Sequence, residues 1–197
     1  MLKKYSTQNN LEIITLNKPG ITDFAEARNL LLEKSNAEWV FFIDSDEEVT
    51  PELIKEIGDA INKEKGPDAY YVKRKIYFLG KYVGEDRVLR LAKRNSGKWV
   101  RAVHEVWDVA SHPTGLLKNC LIHNTASNLH EYIEKINKYS TLHAEENSKE
   151  GKKSNLLKII FYPPLKFIQN ILIGRGFVFS MLQSFHSFLS WSKEWIS

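Results

Sequence analysis

Four carboxylates stand together in Ile43-Asp44-Ser45-Asp46-Glu47-Glu48, directly after the apolar run Trp39-Val40-Phe41-Phe42. In extended backbone Asp44 and Asp46 point to the same side, because side chains alternate along a strand. Two carboxylates on one side cannot sit close together without a cation or raised pKa values. A divalent ion that prefers oxygen ligands, Mg²⁺ or Mn²⁺, relieves the repulsion and leaves coordination positions open for a diphosphate. The competing reading is a solvated acidic turn that only charges a helix N-terminus, a role that suits Glu47, Glu48 and Glu52.

Other chemistry-bearing residues lie further along. His123 ends the apolar stretch Cys120-Leu121-Ile122, where a neutral imidazole can ligate a metal, touch a phosphate or simply cap the strand. Between Lys73 and Arg101 there are ten Lys/Arg against Glu85 and Asp86, interleaved with Tyr77, Phe78 and Tyr82. No recognised nucleic-acid motif accompanies this basic stripe, so beside an acidic metal site it suits an anionic acceptor and the diphosphate. Arg90 and Arg94, four apart on a strand, share one face and are its best candidates; a solvated strand face is the plainer account of most of its lysines.

The elements that position these residues follow from periodicity. Leu11–Leu16 predicts a short strand, Phe24–Lys34 a helix capped by Asp23 or Thr22, and Trp39–Asp44 a strand buried on both faces of a sheet. Thr50-Pro51-Glu52 opens a helix with a capping hydroxyl, a proline at the first position and an acid against the dipole. From Ala69 to about Ile122 the pattern is β-rich, with turns at Gly80, Gly84 and Asn95-Ser96-Gly97. Asn128–Lys149 reads as a polar helix and residues 150–154 as a hinge. Leu2-Lys3-Lys4-Tyr5 reads as part of a helix, so the first strand–helix unit of an open α/β domain is expected to be missing and the chain to be truncated at its front.

Composition agrees with a folded α/β protein: 43% hydrophobic, 26% charged and a net charge of +4 over 197 residues. A single cysteine, Cys120, excludes an internal disulfide and fits a reducing compartment. The charge is unevenly spread. Residues 1–150 hold 22 basic and 23 acidic side chains, and residues 151–197 hold six basic, one acidic and nine aromatic ones. That tail reads either as a helical element lying on an anionic bilayer or as a flank packed on the α/β body. Its most apolar stretch, Leu156–Ile173, is too interrupted by Lys, Pro, Gln and Asn to span a membrane.

Taken together, Phe24-Ala25-Glu26-Ala27-Arg28-Asn29, Glu38-Trp39-Val40-Phe41-Phe42-Ile43-Asp44-Ser45-Asp46-Glu47-Glu48, Leu89-Arg90-Leu91 with Arg94, Trp99-Val100-Arg101-Ala102-Val103-His104-Glu105, Ile122-His123 and Lys135-Ile136-Asn137-Lys138-Tyr139-Ser140 resemble glycosyltransferase family 2. The resemblance is closest to its lipopolysaccharide-core members and runs in order over about residues 11–180. It implies a GT-A-like (Rossmann-like) mixed α/β sheet flanked by helices with a helical C-terminal tail. The expected divisions are a partial transferase domain over 1–127, a helix and hinge over 128–155, and a basic aromatic tail over 156–197.

By the same resemblance, a nucleoside-diphosphate sugar is the donor, a cell-envelope glycan or glycolipid the acceptor, and the transfer inverting. Asp46 holds the metal, Asp44 supports the metal shell or the ribose, and Arg28, Arg90 and Arg94 face the nucleotide sugar. His123, from its own place at a strand end and not from the resemblance, is the candidate for a further metal ligand. Glu105, with His104 beside it, is the first choice of base, and Asp86, in a Glu-Asp pair, the alternative. The expected location is cytoplasmic, with peripheral contact at the inner face of the cell membrane through the tail, and no nucleic-acid partner is expected. The opposing reading is a truncated, non-catalytic relative: a membrane-peripheral binding protein or a gene fragment.

Overall fold

A computed structural model describes residues 4–7, 10–16, 21–101, 105–109 and 112–197, of which 4–7 are described by their backbone alone. The elements are β1 (Lys4–Thr7), β2 (Leu11–Leu16), α1 (Phe24–Glu33), β3 (Trp39–Asp44), β4 (Glu47–Val49), α2 (Pro51–Ile61), β5 (Ala69–Phe78), β6 (Lys81–Lys93), β7 (Lys98–Val100), β8 (Val106–Asp108), β9 (Thr114–Asn124), α3 (Leu129–Lys149), α4 (Leu156–Leu172) and α5 (Phe177–Ile196). The chain divides into two compact units. The first comprises residues 1–75 and 85–123, the second residues 76–84 and 124–197.

The sheet is mixed, in the order β1-β2-β3-β6-β5-β9-β4. β2 and β3 run parallel, with Leu16 opposite Asp44; β3 and β6 are antiparallel, with Phe41 opposite Leu91. β3 explains the layers. Its side chains alternate between two apolar clusters, which is why four consecutive residues are buried. Trp39 and Phe41 join Leu53 and Ile57 of α2, whereas Val40 and Phe42 join Ala25 and Leu32 of α1. The two helices therefore cover opposite faces of the strand that ends in Asp44. Asp23 caps α1 by accepting from the Glu26 amide at 2.8 Å, and Thr50 caps α2 ahead of Pro51.

Beyond the sheet, β7 and β8 form an antiparallel ribbon with Trp99 opposite Trp107. Gly97 permits it, since a Cβ there would lie 2.0 Å from the Asp108 carbonyl oxygen. Arg101, in the loop of this ribbon, has φ +71, a left-handed conformation uncommon for a residue with a side chain.

In the second unit, Ile76, Phe78 and Val83 at the tip of the β5–β6 hairpin share a cluster with Tyr132, Ile136 and Phe179. Lys193 of α5 donates to the Asn137 carbonyl, Ser140 and Thr141 of α3 at 2.7–2.8 Å, tying these helices together. Pro163 and Pro164 lie inside α4, and Ser184 Oγ donates to the Pro163 carbonyl at 2.8 Å. Among the described residues no helix is long and apolar enough to cross a membrane.

Three local expectations change. Lys4–Thr7 is a strand rather than part of a helix, because its backbone pairs antiparallel with β2. Glu47-Glu48-Val49 is not a solvated turn but β4, paired with β9 so that Glu47 faces His123. Gly84 lies within β6 rather than at a turn. Pairing between strands decides the first two, with the neighbouring β2 for Lys4–Thr7 and with the distant β9 for Glu47–Val49, and local pattern does not report such pairing.

Candidate active site

The site is built at the C-terminal end of β3, in the first unit. Arg28 points from α1 into the layer above β3 and is only 1% exposed. Its guanidinium lies 4.6 Å from the Trp99 ring centroid and 5.5 Å from that of Phe42, so aromatic faces cover the cation. It donates to Asp44 Oδ1, and to Glu105 Oε1 through Nε at 3.1 Å and Nη2 at 2.9 Å. The other oxygen of Asp44 accepts from Arg90 Nη2, which also approaches Glu47 Oε1 at 3.3 Å. Arg74 of β5 closes the series. It donates to Glu47 Oε1 at 2.9 Å and grips both oxygens of Asp86 at 3.0 and 2.7 Å.

Acids and bases therefore alternate from Glu105 through Arg28, Asp44, Arg90, Glu47 and Arg74 to Asp86. Burying charges is tolerable only where each finds an opposite partner, and alternation supplies that. Burial alone would raise the Asp44 pKa, but Arg90 and Arg28 outweigh it and hold the carboxyl well below the usual carboxylate range. Burial likewise works against the charged forms of Arg28 and Arg74. Asp44 and Glu105 outweigh it at Arg28, and Asp86 and Glu47 at Arg74, so both stay protonated beyond the ordinary arginine value. Arg28 Nη1 and Arg90 Nε are buried without a hydrogen-bond partner. Each guanidinium thus keeps one N–H-bearing nitrogen unused by protein.

Asp46 Oδ2 lies 3.4 Å from His123 Nε2. The β4–β9 register makes the pair, because Glu47 opposite His123 brings the preceding Asp46 to the end of β9. His123 Nδ1 is buried without a hydrogen-bond partner. Among the described residues no three His, Cys, Asp or Glu side chains converge into a complete metal cage. A carboxylate oxygen beside an imidazole nitrogen is two donors of a partial ligand set that a divalent ion could use. Asp44 is different: both of its oxygens are occupied by guanidinium groups.

The structure thus brings Arg28, Asp44, Arg90, Glu105 and Asp86 into one connected network, with Asp46 and His123 paired beside it. Arg94 is not part of this arrangement. Its backbone N–H donates to the Glu38 carbonyl at 2.8 Å, next to the start of β3. Four residues of strand from Arg90 amount to about 13 Å. His104 lies outside the described residues. Two members of the network, Glu47 and Arg74, were not singled out from sequence. Glu47 reads as a dipole-facing acid and Arg74 as one basic residue among ten; the cross-sheet pairing of β4 is the signal that local sequence lacks.

An end-of-strand acidic motif on a mixed α/β sheet, tied to a helix arginine, defines a class, and comparison with known proteins names it. The pattern of Glycosyl transferase family 2 matches residues 1–119, and the chain belongs to that family. It is a glycosyltransferase, with the GT-A-like arrangement expected of the class and a C-terminal helical region. A curated relative is the lipopolysaccharide core biosynthesis glycosyltransferase LpsC of Rhizobium meliloti (strain 1021). It is 28% identical over 184 residues, covering 86% of this chain and 68% of the relative.

Proposed function

We propose that this chain moves a sugar from a nucleoside-diphosphate donor to a glycan acceptor of the lipopolysaccharide-core kind, with inversion at the anomeric carbon. The observation that carries the reading is the Glu105–Arg28–Asp44–Arg90 series at the C-terminal end of β3, where α/β sheets bind their ligands. Arg28 grips Oε1 of Glu105, which leaves Oε2 to take the proton of the attacking acceptor hydroxyl. The acceptor oxygen forms its bond to the anomeric carbon as the bond to the diphosphate breaks, and the proton passes to Glu105. Asp86 fits the role of base less well, since Arg74 engages both of its oxygens.

Asp46 and His123 would hold a divalent cation, Mn²⁺ or Mg²⁺, which when bound neutralises charge on the departing diphosphate. In this reading Asp44 does not ligate the ion; it holds Arg28 and Arg90 toward the donor. An acceptor of this class is a glycolipid, and peripheral contact with the membrane that carries it, from the cytoplasmic side, belongs to the same proposal.

The test combines binding and turnover. Mn²⁺ binding followed by electron paramagnetic resonance is expected for the intact chain and to weaken at least tenfold in Asp46→Asn and in His123→Ala. Transfer or hydrolysis of nucleoside-diphosphate sugars should require the ion and vanish in Asp46→Ala. Full activity of Asp46→Ala in the presence of chelator would overturn the assignment.

A further inference from the structure

Much of the apolar surface of the second unit is turned outward. On α4, Leu157, Phe161, Leu165, Ile168 and Leu172 recur every three or four residues and are 52–80% exposed. This spacing places them along one face of the helix. On α5, Val178, Met181, Phe185, Phe188 and Trp195 form a second stripe, 43–57% exposed, and Phe177 at its start is 66% exposed. Apolar stripes of this length on a folded unit mark a surface with a partner.

We propose that the α4–α5 hairpin is an in-plane bilayer-binding element, selective for anionic lipid, whose two exposed stripes enter the boundary between headgroups and acyl chains. This deepens the membrane contact in the function proposed above and rests on it. Charge argues for lipid over a protein partner. Residues 151–197 carry six basic side chains and one acid, and the exposed Lys152 and Lys153 lead into α4. Each lysine near an anionic surface strengthens binding about fivefold. Geometry argues for lying on the bilayer and not crossing it. No described helix is apolar and long enough to span, and the hairpin carries the wide apolar face of an interfacial element. Tyr162 and Trp191, packed edge to face at 5.3 Å, and Trp195 supply the amphipathic rings that favour the interface. Lys158, 4.6 Å from the Trp191 ring, is a cation held among them.

The full chain is tested by vesicle flotation with phosphatidylcholine alone and with added phosphatidylglycerol. It should float with the anionic vesicles, release at high salt, and shift its tryptophan emission to the blue. The variant Leu157→Ser/Leu165→Ser/Phe177→Ser/Val178→Ser changes four positions that are each more than half exposed and should melt as the parent does while partitioning at least tenfold more weakly. Lys152→Gln/Lys153→Gln should weaken partition about twenty-fivefold. Leu116→Ser, an exposed apolar residue of β9, serves as the control and should float like the parent. A parent chain that stays at the bottom of the gradient overturns the proposal. So does equal binding to neutral vesicles, or a discrete dimer in sedimentation that the four-serine variant dissolves. Hydrolysis of a soluble nucleotide sugar, measured without vesicles, reads the transferase chemistry separately, so failure of one is told apart from failure of the other.

Discussion

Glu47 returns its side chain to the residue three before it, accepting the backbone N–H of Asp44 through Oε2 at 2.9 Å while Oε1 receives Arg74 and Arg90. This fully buried carboxylate both holds the end of β3 and neutralises two guanidinium groups. Glu47→Gln keeps the shape but leaves those cations short of charge. Breaking a buried pair this way is expected to cost about 3–5 kcal/mol. Urea unfolding of the variant measures it, and a change below about 1 kcal/mol would mean the acid is not needed for the network.

Glu105 and Asp86 are distinguishable by turnover. Glu105→Gln should lower kcat by about 10²- to 10⁴-fold, the usual contribution of a positioned base, with little change in donor KM. Asp86→Asn should retain most of kcat and instead reduce stability, because it loosens Arg74. Reversal of the two results would give the proton-accepting role to Asp86.

Arg28 cannot be replaced by lysine. An ammonium lacks the planar fork that reaches Asp44 and Glu105 together while packing against Trp99. Arg28→Lys is expected to reduce transfer about a hundredfold, the scale of a small misplacement of reacting groups. Steady-state kinetics on the purified variant would reveal a conservative effect if arginine geometry were unimportant.

Glu56 clamps α2 to β9. Its carboxylate accepts the Lys118 and Asn119 amides at 2.7 and 2.8 Å and the Asn119 side chain at 2.8 Å. Burial works against the ionised form, but these donors hold the pKa below the ordinary glutamate value. The folded state thus releases this proton more readily than the unfolded chain. Its contribution is present above pH about 4.3 and fades as pH falls through the lower folded value. Glu56→Ala should cost about 1.5–3 kcal/mol at neutral pH. In thermal melts the difference between variant and parent should shrink in acid.

Tyr132, packed on Phe78 at 4.8 Å, has its phenol pushed up to about 12 by burial, against the effect of a hydrogen bond from Gln183. Here the folded state keeps a proton that the unfolded chain has lost. The stabilisation is present below pH about 10 and disappears as pH rises toward 12. Ultraviolet titration should show one of the eight tyrosines ionising last, and that step should be absent in Tyr132→Phe.

Much of the frame was legible because it rests on local rules. Trp39–Asp44, the Asp23 and Thr50 caps and the polar helix α3 are where periodicity and capping chemistry put them. These depend on neighbours within a few residues, so the chain states them directly. Asp44, Asp46, Arg28 and Glu105 also stand out in the sequence, through their order along the chain. Their partners were not. Arg28 and Glu105 are 77 residues apart, and Arg74 and Glu47 are 27 apart.

Sequence by itself therefore determined β2, α1, β3, α2 and α3, the acidic end of β3 and the unequal charge of the C-terminal segment. Only the tertiary structure decided that Glu47 is an interior counterion and that both oxygens of Asp44 belong to arginines. It also decided that Arg94 stands at the far end of β3, and that the apolar stripes of α4 and α5 face outward. The reason is physical. Charge pairing and burial depend on which strands become neighbours, and that is set by the sum of weak contacts across the whole sheet.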